Sequence, residues 1–268
     1  MTMAKVPVAA DAPTKSYYKY YEQGIADLTP EQRAFAANCK GTEDEALSIH
    51  DRNLLLEPGT YPAKMGYYPL KEGGLLVAGN IRMPDVTADM LYWWFAWHGL
   101  DPLRYAIWDP DDHFNTQLNE EGIRRALDAS IPMEEKTWGA THTVLESMGG
   151  EPDEIVIEFE NPAKLGFDSS KIGTAGCEFI VAANGCMGEM KIPSVMVEVA
   201  KKVDGIMTYQ ARFWIGYRIE NGTGRYMLPP EVKIPDEIAI ALVGHNIKEF
   251  TNLGKILPQV YAEEKDNW

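Results

Sequence analysis

The chain has 268 residues, 45% of them hydrophobic, enough to bury a substantial core as one large domain or two unequal ones. Against 40 Asp and Glu it sets 25 Lys and Arg, a net charge of -15, and no Lys/Arg cluster; such a surface repels phosphate backbones and anionic lipid, so neither nucleic acid nor a membrane surface is an expected partner. Three cysteines without a C-x-x-C pair exclude a disulfide framework or thiolate zinc site, and without a signal-peptide run or an 18-residue apolar window a cytoplasmic protein is expected.

The first fifteen or so residues are small, Pro- and Ala-rich, and predicted to be loose. Thr29-Pro30-Glu31-Gln32 then supplies a capping residue, a proline at the first helical position and a Gln at the box position, which predicts a helix ending near Gly41. Leu54 to Tyr68, rich in Pro, Gly and Tyr, reads as a loop, and Leu75 to Arg82 as a strand. After Thr87 the segment ADMLYWWFAWHGL is apolar nearly all round, the pattern of a helix buried on most sides. Leu103 to Trp108 reads as a strand, and the acidic stretch from Asp109 to Lys136 holds a short helix around 121–129. From Trp138 the pattern becomes strands at 138–148, 154–160, 177–183, 194–203 and 206–220, the last two joined by the hairpin signal Asp204-Gly205. Pro235-Asp236 opens a long helix to about Ala262. The series predicts an α+β fold in which a curved antiparallel sheet wraps around the long C-terminal helix and encloses a cavity.

Few residues in this series carry chemistry. His245 and Glu249, in VGHNIKEF, stand four apart on one face of the terminal helix, which suits one half of a zinc site or a helix-internal salt link. On the strand GATHTVLES the period is two, so His142, Val144 and Glu146 share a face; if it looks inward, two ionisable groups enter an apolar interior and a metal or catalytic role follows. His113 follows Asp109, Asp111 and Asp112 in either a metal loop or an acidic turn, and His98 stands where it can cap the carbonyls of the Trp-rich helix. No G-x-S-x-G elbow, Walker loop or dinucleotide fingerprint occurs. The many Trp, Tyr and Met residues suit a roomy apolar pocket for a flat ligand and an ordinary core equally well.

The segments YWWFAWHGLDPLRYAIWDPDDHF, GATHTVLES and GHNIKEF together resemble the 2,4-diacetylphloroglucinol hydrolase and phloretin hydrolase family, with similarity extending from about Gly73 to Asn252. The resemblance implies a helix-grip (Bet v 1-like) catalytic domain over 71–268 and a helical and loop segment over 1–70 that mediates a homodimer. It implies hydrolysis of the carbon–carbon bond between an acyl group and a phloroglucinol ring, with zinc on two His and two Glu, carried here by His113, Glu146, His245 and Glu249. His98, Glu134 and Glu135 are the alternative positions for this set. Tyr105 and Asn115 fall at or near family positions that touch substrate oxygens. The shared strand face with Glu146 makes His142 the candidate proton carrier. The ordering of the chain favours phloretin, yielding phloroglucinol and 3-(4-hydroxyphenyl)propanoate. Mono- or diacetylphloroglucinol hydrolysis and non-catalytic carriage of a flat hydrophobic ligand are the alternatives.

Overall fold

The structure is a computed structural model and describes residues 5–188, 190–229 and 231–268. Its centre is an eight-stranded sheet made of β1 (Gly66–Pro69), β2 (Leu75–Arg82), β3 (His113–Leu118), β4 (Thr141–Glu146), β5 (Asp153–Glu160), β6 (Phe179–Met187), β7 (Ile192–Val203) and β8 (Ile206–Ile215). They run in the order β1-β2-β8-β7-β6-β5-β4-β3, every pair antiparallel. A separate hairpin, β9 (Tyr217–Glu220) with β10 (Thr223–Tyr226), continues from β8. The helices are α1 (Tyr18–Gln23), α2 (Pro30–Asn38), α3 (Ala88–Trp97), α4 (Pro102–Ala106), α5 (Glu120–Leu127) and the 29-residue α6 (Asp236–Glu264).

Local chemistry accounts for most of these limits. Thr29 and Gln32 form a reciprocal capping box at the start of α2. Thr87 accepts from the Met90 amide at the start of α3, whose residues from Trp93 to Trp97 are all buried. At the β7–β8 turn Asp204 and Gly205 both take positive φ, 51° and 77°, as a two-residue hairpin that follows strand twist requires.

Helix α6 lies on the concave side of the sheet, its Phe250, Leu253, Ile256, Leu257 and Val260 sharing one core with the tryptophans of α3 and with Phe179 and Tyr209. This is the helix-grip architecture expected from the order of elements. The convex side is covered by residues 47–63. There the buried Lys201 ammonium donates to the carbonyls of Leu55 and Glu57, the Arg212 guanidinium to those of Pro62 and Ala63, and the Trp214 indole to that of Leu47.

Four expectations are corrected. Leu103 to Trp108 is not a strand but mostly α4: Asp101 accepts from the Leu103 amide and Pro102 takes the first helical position, and these start signals override a short apolar run that fits either period. The acidic stretch hides β3, whose inward residues His113, Thr116 and Leu118 are mostly polar and give no alternating apolar signal. The loop assigned to Leu54–Tyr68 runs into β1 at Gly66, which pairs with Ala78. The strand at 206–220 is broken by Gly216, with φ of 95°, into β8 and β9.

Candidate metal centre and its cavity

The first donor is placed by a turn. Asp109 accepts through its side chain from the amides of Asp111 and Asp112, and its carbonyl from the His113 amide, so His113 enters β3 facing inward. In the register of β3 on β4, His113 stands directly opposite Glu146. One turn of α6 then adds His245 and Glu249 from above.

These four side chains converge. The Nε2 atoms of His113 and His245 are 3.4 Å apart, and Glu249 Oε2 lies 3.5 Å from the first and 3.9 Å from the second. Glu146 Oε2 is 3.7 Å from His245 Nε2. Donors around a tetrahedral ion with bonds of about 2.0–2.2 Å stand roughly 3.4 Å from one another, so the spacing is that of a metal site. The charge balance agrees. Burial, with Glu146 and Glu198 close by, holds the Glu249 carboxyl well above the usual range, and burial raises that of Glu146. Burial, with His245 nearby, pushes the His113 imidazole well below its usual value, leaving it neutral as a ligand must be. A divalent cation would balance the charge of such a cluster, and His with carboxylate accepts several such ions.

The surroundings fix the rings. His113 Nδ1 is 3.3 Å from the Tyr105 carbonyl, and the Tyr105 ring stacks on it at 4.1 Å and 7°. The Tyr105 hydroxyl donates to Glu146. Behind His245, Asp112 Oδ2 is 3.9 Å from Nδ1 and accepts from the buried Lys248 ammonium at 2.7 Å, which also contacts Asp109 at 3.1 Å. Asp109, Asp112 and His245 are likewise close enough to share an ion, but Lys248 already supplies the positive charge there.

The centre opens on a cavity walled by aromatic rings from α3, α4 and Trp108, by β4–β8 and by α6. The inward face of β4 presents His142, Val144 and Glu146 to it together. His142 stands roughly 13 Å from Glu146 along the strand, with its ring on Phe159 and His98. Burial drives it well below its usual pKa. His98 does engage a helix carbonyl, Trp94 at 2.8 Å, and also lines the cavity. Asn115 is placed apart: it is exposed and lines a surface groove with Pro7 and Lys15. Glu134 and Glu135 lie on a turn outside the cavity.

Sequence reading missed Glu198, a buried carboxyl on the inward face of β7 that burial pushes up to about 8. A lone charge at the inward parity of an apolar strand, as in VMVEVA, was the available signal. The Lys248–Asp109–Asp112 network was also missed, because its partners are 136 or more residues apart.

Fold and centre together define a helix-grip protein whose cavity ends in two histidines and two carboxylates arranged for a divalent ion. Residues 47–262 match the DAPG hydrolase PhiG domain family, and the chain belongs to that family. It is similar to a phloretin hydrolase of Eubacterium ramulus, 39% identical over 98% of this chain and 96% of that protein. A 2,4-diacetylphloroglucinol hydrolase of Pseudomonas sp is 28% identical over 93% of this chain and 88% of its own length. The solved structure of Ara h 8.0201 is similar over 69% of this chain and 97% of its own, at 9% identity and a TM-score of 0.42. The chain is accordingly an enzyme of the hydrolase class. No helix among the described residues is long and apolar enough to cross a membrane.

Proposed function

We propose that this protein is a zinc-dependent hydrolase that cleaves the carbon–carbon bond between the acyl group and the ring of an acylphloroglucinol, phloretin being the substrate. The convergence of His113, Glu146, His245 and Glu249 at the inner end of an apolar cavity carries the reading. The identity to a phloretin hydrolase over nearly the whole chain supports the choice of substrate.

A divalent ion held by these four residues supplies Lewis-acid polarisation of the acyl carbonyl or of water. The protein's own groups do the rest. Aromatic walls from Phe95, Trp108, Phe159 and Phe250 bury the flat ring and exclude bulk water. The Tyr105 hydroxyl, on Glu146, is placed to orient an oxygen of the substrate and to hold the carboxylate in one rotamer. Cleavage leaves a ring carbon that needs a proton: Glu198, whose carboxyl burial keeps protonated, can give one, and His142, held neutral by burial, can relay one. His142→Gln separates them, since near-normal turnover in that variant moves the role to Glu198.

The test is phloroglucinol release from phloretin and from monoacetylphloroglucinol, with metal content measured on the same preparations. Wild-type protein should carry about one zinc per chain and turn over phloretin faster, and folded His245→Ala should lose both metal and activity, because three donors remain with an uncompensated cluster. Zinc without release of phloroglucinol from either compound would sink the reaction, and turnover surviving in metal-free protein would sink the metal.

A further inference from the structure

We propose that Ser194 is a specificity-determining residue whose hydroxyl receives a neutral phenolic hydroxyl at the far end of an aryl-bearing acyl arm. The inference rests on the acylphloroglucinol reading above and adds the chemistry of the arm.

The inward face of β7 carries Ser194, Met196 and Glu198 in alternation, and all three line the cavity. Glu198 marks the metal end, near enough to Glu146 and Glu249 for their charges to act on one another. Ser194 lies four residues back, roughly 13 Å along the strand at about 3.3 Å per residue. A substrate with its carbonyl at the metal centre therefore points its acyl arm along β7 towards Ser194. An acetyl group covers only the start of that path. An arylpropanoyl arm covers most of it.

Ser194 is 6% exposed, and its Oγ has no hydrogen-bond partner among the described residues. A buried hydroxyl is almost always paired, so an unpaired one on a cavity-lining residue is available to a ligand's polar atom once the side chain turns to meet it. Its cross-strand neighbour on β6 is Gly185, which adds no side chain to the space, and on β8 it is Ile215; a Cβ on Gly185 would lie 2.4 Å from the Val156 carbonyl oxygen, so that side stays open. Asn184, the nearby amide, is already committed, accepting from the Ile219 amide at 2.8 Å and donating to its carbonyl at 3.0 Å. Ile155, Met187, Met196, Phe213 and Leu242 line the same cavity, and thioethers beside a ring suit an aromatic guest. Among the described residues no Lys or Arg lines the cavity, so no permanent cation is there to neutralise an anionic arm. A neutral hydroxyl on an aromatic ring meets every one of these conditions.

The test separates the arm from the reaction. Binding of 3-(4-hydroxyphenyl)propanamide and of 3-phenylpropanamide is measured by calorimetry on wild-type protein and on Ser194→Ala, with zinc content checked in both. Wild-type protein should prefer the hydroxylated amide by about tenfold, and Ser194→Ala should erase that preference by weakening the hydroxylated amide alone. In turnover, kcat/KM for phloretin should fall by a similar factor in Ser194→Ala, while that for its analogue without the para-hydroxyl and for monoacetylphloroglucinol stays unchanged. A preference that survives in Ser194→Ala, or one absent from wild-type protein, overturns the assignment whatever the enzyme turns over. Turnover of none of the three compounds by zinc-loaded wild type overturns the acylphloroglucinol reading, and the binding result still decides Ser194.

Discussion

Glu198 and His98 pull the stability of this protein in opposite directions with pH. Burial holds the His98 imidazole down at about 4 from an ordinary 6.5, so between those values the unfolded chain binds more protons. Its contribution is full above 6.5 and is lost as pH falls towards 4. For Glu198 the folded carboxyl keeps its proton up to about 8 where the unfolded one releases it near 4.5, so stability present below 4.5 drains away as pH rises through 8. Each effect is of the order of a few kcal/mol. Thermal unfolding of the metal-free protein between pH 5 and 9 should therefore show Glu198→Gln gaining on wild type as pH rises; parallel curves would reject the buried neutral acid. These residues also show what was legible in the sequence. His245 and Glu249 declare themselves because a helix repeats every 3.6 residues, and His142 with Glu146 because a strand repeats every two. Asn115 stands two residues from His113, so plain alternation would turn both inward; a bulge between them turns Asn115 to solvent, and the sequence carries no signal for it.

Long, strongly periodic or well-capped elements were readable: α2, α3, β2, the β7–β8 hairpin and α6 stand where their patterns put them. Elements whose existence depends on partners were not. β3 is a polar edge strand, and α4 is a single turn fixed by one aspartate and one proline. Both lie in the segment that delivers His113, and α6 holds them in place. Asn252 donates to the carbonyls of Ile107 and Trp108, at 3.3 and 2.8 Å, just ahead of the turn into β3. Asn252→Leu should lower stability by about 1–3 kcal/mol, as unpaired buried carbonyls do. If the proposed centre holds zinc, the same change should weaken its binding by shifting His113. Urea unfolding and a chelator competition read the two effects, and unchanged zinc affinity would mean that the turn holds its shape without α6.

At the scale of the whole molecule the surface is strongly acidic, yet several cations are inside. Lys201 and Arg212 are fully buried on the convex face, Lys201 donating to the carbonyls of Leu55 and Glu57, and Arg212 to those of Pro62 and Ala63 and, within the sheet, of Gly79 and Ala211. Lys201→Met leaves the Leu55 carbonyl unpaired and the Glu57 carbonyl with the Thr60 hydroxyl alone, and should expose that segment to limited proteolysis, at a cost of about 1–3 kcal/mol and with unchanged metal content. Loss of zinc in that variant would instead make the outer layer part of the centre. The histidines that meet at 3.4 Å are 132 residues apart in the chain. During synthesis His113 and Glu146 therefore leave the ribosome long before their partners, and no tetradentate grip exists until α6 has emerged and docked. Chains interrupted before that helix are born without the means to keep a metal, so a metal tightly held in the cell also certifies that translation reached the final helix.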